Sequence, residues 1–363
     1  MEKNKGLDLG TKKGKFLFGL MNTGKALILP VAITIIFLIT TGAQGLKLFS
    51  EYTDYQIFTR QVVVALLIAF AFGIHMAQGR MDFSIGATMI LGEVISTQLM
   101  VKMGILDNAF LFFVLIVLIS CALSVFGGLV YVLFRIPPMI SGLGMTLLYE
   151  GIAYNLNEKA SGTSRFDLVS NNFLVTFNGI GEMLILAAII IIVMILIYKY
   201  SKWSFDSALL QNGQLQAVQC GVKEIPNALI GYAFAGILIG VAGFVTVGNS
   251  TILTASVGFG STATTMAAML PMFIGGFIST FVPYPVAICL GAISSTMLSY
   301  GLGKTFIMKD GSTYASIINA LFLLFFLAYM FNQYKIKEVL HVKTFIEHQK
   351  AKKALKKEME GLE

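Results

Sequence analysis

Four titratable side chains interrupt sequence that is otherwise apolar: His75, Asp82, Glu93 and Glu150. Carboxylates and an imidazole placed in hydrocarbon-compatible runs can relay protons or exchange hydrogen bonds with a polar solute. Ionisable groups at such positions are functional by default because burying them is costly. Asp82 lies in GRMDFSIG, residues 79–86, between the apolar runs Val62–Ala77 and Ile85–Met100. Gly79 and Gly86 mark a helix break there, and Asp82 can cap a helix that begins near Phe83. Arg80 is expected to snorkel to headgroups. Glu93 falls midway along the next run. It either serves function, or is protonated, or pairs with His75 or Arg80 as a structural contact.

The elements that must position these groups are membrane helices. Of 363 residues 56% are hydrophobic and 12% charged, and the mean hydropathy is +0.80, outside the range of soluble domains. Glycine is abundant (36) and proline scarce (7), as expected where helices approach through small residues. Cys121, Cys220 and Cys289 lie far apart and offer neither a disulfide framework nor a metal spacing. The net charge of +7 is no nucleic-acid signature. Six lysines precede the first apolar run and eight follow the last, which is a topology signal. No cleavable leader is expected, so the first span stays.

Ten crossings are expected, at about 26–42, 62–77, 85–101, 109–134, 139–156, 183–198, 227–247, 265–281, 285–302 and 314–331, since a span needs about 20 apolar residues. The fold class is therefore all-α and polytopic, with broken or re-entrant helices. Residues 1–25 form a basic segment, 26–331 the membrane domain and 332–363 a charged helical tail. Ten crossings place both termini on one face, and their lysines assign that face to the cytoplasm. The tail is a solvated extension or a polybasic contact with anionic lipid.

Two more interruptions follow the first. In RIPPMISGLG, residues 135–144, Pro137 and Pro138 mark a helix start. Residues 248–265, GNSTILTASVGFGSTATT, predict an irregular, cavity-lining or re-entrant loop, because broken backbone at membrane depth must be surrounded by protein or water. Half-helices meeting at a shared chamber are a recurring way to build a transport site.

These residues resemble the permease subunits of bacterial ATP-binding-cassette importers for monosaccharides such as ribose, galactose, xylose and arabinose. Gly79, Met81, Asp82, Phe83, Ser84, Ile85 and Gly86 follow that family's G-x-I-D-L-S-V-G stretch. Pro137, Pro138, Met139, Ile140, Leu143, Gly144 and Met145 follow its P-P-F-I-x-T-L-G-(small/Met) run, with Glu150–Gly151 where Arg-Gly is usual. GQLQAVQCGV matches a cytoplasmic N-x-x-A-A-x-x-x-G-I segment at Ala217, Gly221 and Val222, while Gly213 and Gln216 depart from it. A glycine-rich run of the family is reduced here to Gly275 and Gly276. The resemblance covers about residues 60–300 and implies a solute path for a monosaccharide or nucleoside. It also implies a second permease, identical or not, two ATP-hydrolysing subunits and an extracytoplasmic binding protein.

On that resemblance the chain is a translocation subunit and no enzyme, with no cofactor. GLGKT, residues 301–305, is a solvated loop, since Leu298 stands where a phosphate-binding loop needs its first glycine. Asp82, Phe83, Ser84, Glu93, Met145, Thr146, Ser261, Thr262 and Thr265 are the pathway candidates, with Phe83 able to cover a sugar's apolar face. A short helix in 204–226 offers Leu209, Leu210, Leu215, Ala217, Val218 and Gly221 for coupling to the hydrolysing subunit, or else lies on headgroups. The rival is a secondary transporter in which His75, Asp82, Glu93 and Glu150 relay ions. A membrane enzyme lacks its motifs: there is no H-E-x-x-H and no G-x-S-x-G.

Overall fold

A computed structural model describes residues 12–105, 108–160, 179–248, 255–305 and 311–332. The charged tail beyond residue 332 lies outside the described residues, as do residues 161–178 between the fifth and sixth expected spans. Every element among the described residues is helical: α1 (Lys12–Ala43), α2 (Tyr52–Ala77), α3 (Ile85–Met103), α4 (Ala109–Phe134), α5 (Pro138–Ala160), α6 (Ile180–Tyr200), α7 (Lys202–Asn212), α8 (Gln214–Gln219), α9 (Glu224–Val247), α10 (Thr262–Ile278), α11 (Tyr284–Thr305) and α12 (Gly311–Phe331).

Each of the ten apolar runs coincides with one of these helices. Six helices, α1, α2, α4, α6, α9 and α11, are long and apolar enough to cross a membrane, so the chain is a multi-pass membrane protein. Boundaries differ in places. The one expected at residue 25 falls inside α1, and α2 starts ten residues before the run at Val62. The acidic pair Glu51 and Asp54 caps α2 reciprocally, so the polar residues that precede the run at Val62 belong to the helix's first turns. Pro138 opens α5, as the proline pair predicts.

Helices α2, α9 and α11 are the most buried of the six, and α1, α4 and α6 the least. The uniform apolarity of α4 and α6 suits helices that face lipid, whereas α2 and α9 carry polar groups toward each other. At one end Gln78 Nε2 donates to the Asn227 carbonyl (2.7 Å) and to Asn227 Oδ1 (2.8 Å). Trp203 Nε1 donates to the same carbonyl (3.1 Å). At the other end Asp54 joins α2 to α11 through Lys304 Nζ (2.8 Å) and the Tyr300 hydroxyl (2.9 Å).

Between the ends, glycines set the spacing. A Cβ on Gly236 would stand 2.7 Å from Cys121 Cα, and one on Gly240 2.6 Å from Val117 Cα. The backbones of α9 and α4 therefore touch along a G-x-x-x-G seam, where close packing stands in for a hydrophobic driving force that lipid cannot supply. Gly275 and Gly291 do the same for α10 and α11, with Gly275 against Ile288 Cα and Gly291 against the Pro271 carbonyl. Gly236→Leu is expected to lower unfolding stability in detergent by about 1–3 kcal/mol, because overpacking meets backbone that cannot yield. Gly144→Ala, which faces open space on α5, is expected to leave it unchanged or slightly higher. Equal thermal midpoints for both variants and the parent would contradict the seam.

Candidate functional site

After α2 ends, Gly79 takes a left-handed turn (φ 72°) and the chain runs non-helically to Ser84. The polar groups freed by this break are met from two other helices. The Phe83 carbonyl accepts from the Thr146 hydroxyl of α5 (3.1 Å) and the Thr265 hydroxyl of α10 (3.2 Å). Thr265 Oγ1 also accepts from Gly86 N (3.1 Å). Asp82 Oδ1 accepts from Ser84 N (2.8 Å). The approach is backbone-close: a Cβ on Gly142 would be 2.5 Å from Asp82 Oδ1, and one on Gly86 would strike the Ser261 carbonyl. Gly86 thus serves contact with the third interrupted segment, and all three interruptions converge on one point.

Glu150 ties the third interruption down. Its Oε2 accepts from Phe259 N (2.8 Å) and its Oε1 from Ser261 N (2.7 Å). Phe259 is left-handed (φ 67°), a conformation costly for a bulky residue and kept only where the surroundings impose it. Residues 255–261 thus enter α10 through a turn pinned by a buried carboxylate. Thr262 Oγ1 donates back to the Phe259 carbonyl. Met145 packs beneath with Ala87, Leu91 and Tyr149.

Several expectations change. The helix after Asp82 starts at Ile85, and the cap position belongs to Ser84, whose side chain caps nothing; Asp82 bonds locally, two residues on, as Asx turns do. Arg80 does not snorkel. It is buried, donating to Gln78 Oε1 (3.1 Å) and Glu224 Oε1 (3.2 Å), with its guanidinium over the Tyr131 ring. Glu93 pairs with neither His75 nor Arg80: it is buried beside Gly243, and its Oε1 has no hydrogen-bond partner among the described residues. His75 Nε2 lies 3.9 Å from Asp82 Oδ2. Glu150 is committed to backbone amides, so the four groups form no continuous relay.

Three cavities flank this knot. One of about 880 Å³ lies among α2, α10, α11 and α12, and one of about 510 Å³ adjoins it, the two sharing Gln61, Ala65, Ala263 and Ala267. At the opposite end a cavity of about 680 Å³ is lined by Gly79, Arg80, Arg135, Pro137, Pro138 and Glu224, among others. None of the nine pathway candidates lines any of the three. The side chains of Asp82, Thr146, Thr262 and Thr265 bond to broken backbone instead, and the walls come from other residues, among them Gln61 and Ala65 of α2 and Ala263 and Ala267 of α10. Phe83 in particular is buried in packing and presents its carbonyl, not its ring, to the junction.

The expected coupling helix is two helices, because Gly213 interrupts it between α7 and α8. Leu210 and Ala217 are buried together with Val222, which removes them from any docking face. Leu209, Val218 and Leu215, the last 81% exposed, point outward. Gly221 (φ 88°) ends α8 with Val222 N donating to the Ala217 carbonyl and Gly221 N to the Val218 carbonyl, the paired C-terminal bonds of a Schellman motif.

Sequence reasoning missed Arg60, Gln61 and Asn319 as cavity residues. Starting the second span at Val62 left Arg60 and Gln61 outside it; the acidic capping pair at residues 51 and 54 was the available signal. No family model matches this chain, and no curated protein or solved structure matches it. Glu150→Gln is expected to leave Phe259 N or Ser261 N without an acceptor. Since an unsatisfied buried N–H costs about 1–3 kcal/mol, amide exchange across residues 255–261 should rise about tenfold. Unchanged exchange would mean that other contacts hold the turn.

Proposed function

We propose that this chain is the membrane-spanning permease subunit of an ATP-driven importer, carrying a small polar solute of the monosaccharide or nucleoside kind by alternating access. Ten helices cross the bacterial cell membrane with both termini in the cytoplasm, and the Arg80–Glu224 end of the bundle faces inward. Cavities at opposite ends, separated by a packed junction of three interrupted segments, carry this conclusion. Such an arrangement suits a gate: the junction closes one chamber from the other, and small shifts of α5 and α10 about the Phe83 carbonyl would exchange which is open.

The energy comes from partner subunits that hydrolyse ATP. The outward apolar face of α7 and α8, with Leu209, Leu215 and Val218, suits a groove on such a partner. Its position directly beneath Gln78 and Asn227 couples it to the start of the break: Ser207 Oγ donates to Asn227 Oδ1 (3.1 Å) and Gln211 Nε2 to the Met76 carbonyl (3.1 Å). A second permease and an extracytoplasmic binding protein complete the assembly. Ion-driven transport by this chain alone is the second reading, favoured by the buried, unpartnered carboxylate oxygen of Glu93.

Purified chain in proteoliposomes separates the two. With radiolabelled ribose or uridine, no uptake is expected along a proton or sodium gradient, and uptake is expected when a partner ATPase and ATP are supplied. Leu215→Asp, on a fully outward side chain, should leave the fold intact and reduce ATP-dependent uptake by about an order of magnitude, as loss of an interface anchor does. Gradient-driven uptake without an ATPase, abolished by Glu93→Ala, would establish the rival.

A further inference from the structure

The two adjoining lobes between α2, α10, α11 and α12 carry an unusual balance of charge. Their charged lining residues are Arg60 and Lys304, and among the described residues no aspartate or glutamate lines either lobe. Lys304 is matched: its Nζ donates to Asp54 Oδ1 at 2.8 Å. Arg60 is not. It is 8% exposed, its Nε lacks a partner, and its guanidinium makes no hydrogen bond or ion pair with any described residue.

The nearest carboxylate on the same helix has no capacity to spare. Asp54 Oδ1 accepts from Lys304 and Tyr300, while its Oδ2 accepts from the amide and hydroxyl of Ser50, both at 2.9 Å, and from Glu51 N. Opposite Arg60, the wall is the first turn of α10, with Ala263 and Thr264. That turn presents the positive end of a helix dipole. A buried guanidinium without a counter-charge is costly, and the carboxylate at the start of α10, Glu150, is committed to the amides of Phe259 and Ser261.

The adjoining lobe has the complementary chemistry. Ser295, Thr296 and Ser299 bring hydroxyls to it. Asn319 donates from Nδ2 to Ser299 Oγ (3.0 Å), and its Oδ1 is buried without a donor among the described residues. An acceptor that needs a donor, beside hydroxyls, fits a polyhydroxylated body.

We infer that this double lobe binds a small polyol that carries an oxyanion, with Arg60 holding the anion and Asn319 accepting from a hydroxyl. This deepens the importer reading, and rests on it for the step from bound ligand to cargo. A free sugar phosphate and the phosphoglycerol headgroup of an anionic lipid share this chemistry.

The test is binding to the purified full chain in neutral detergent, with ribose and ribose 5-phosphate as probes. Ribose 5-phosphate is expected to bind about tenfold or more tightly than ribose, the usual effect of a charge-assisted pair. Arg60→Gln should erase that preference, and Arg60→Lys should keep part of it, which separates lost charge from lost fold. In nanodiscs, phosphatidylglycerol that displaces ribose 5-phosphate from the parent chain, but binds Arg60→Gln no better than phosphatidylcholine does, would support the oxyanion site and name the headgroup as its source. Equal affinity for the two sugars with no preference for phosphatidylglycerol, or an unchanged preference in Arg60→Gln, would overturn the inference. Arg60-dependent binding without ATP-dependent uptake would end the importer reading alone. ATP-dependent uptake together with ribose 5-phosphate binding untouched by Arg60→Gln would end this inference alone.

Discussion

Broken backbone inside an apolar bundle must find donors and acceptors within the protein, and much of this structure answers that demand. The Phe83 carbonyl is the clearest case. Removed from helical hydrogen bonding by the interruption after α2, it collects two threonine hydroxyls from two other helices. Glu150 performs the converse service, offering both carboxylate oxygens to the amides of Phe259 and Ser261. Because lipid provides no substitute partner, these bonds determine where α3, α5 and α10 can begin. Small residues at Gly86 and Gly142 are then obligatory, since any side chain there would collide with the backbone being satisfied.

The two ends of α2 are fixed by different chemistry. One is held through Asp54, a carboxylate saturated by an ammonium, two hydroxyls and two amides. The other is held by neutral amides, Gln78 with Asn227, and by Arg80 between Gln78 and Glu224. Glycine seams carry the close packing between these ends. Two of the least buried helices, α4 and α6, are also the most uniformly apolar, so the polar groups concentrate where helices meet one another.

The sequence made the helices legible because apolar runs of span length have few alternative readings. It also exposed all three interruptions, since glycine pairs, a proline pair and a hydroxyl-rich stretch contradict a continuous rod. What it hid was direction. The spacing of Leu210 and Ala217 does not say which helix face turns inward once Gly213 splits the segment. Nor does the type of Asp82 or Glu150 reveal whether a carboxylate will serve a solute or its own backbone. Arg60 was hidden by a boundary: polar residues at the head of a long helix read as loop until the capping pair at Glu51 and Asp54 is recognised. Glu93 was visible as an anomaly, but that its Oε1 meets no donor among the described residues is a property of the packing around Gly243.

The Thr265 hydroxyl donates to the Phe83 carbonyl while accepting from Gly86 N. It therefore occupies the place of a missing rung in the ladder of α3, with the rung supplied by α10. The two helices are spliced by one oxygen atom, and neither can tilt independently without baring the Gly86 amide and leaving the Phe83 carbonyl to Thr146 alone. Whatever moves this protein moves that pair as one lever, with its fulcrum at a single hydroxyl.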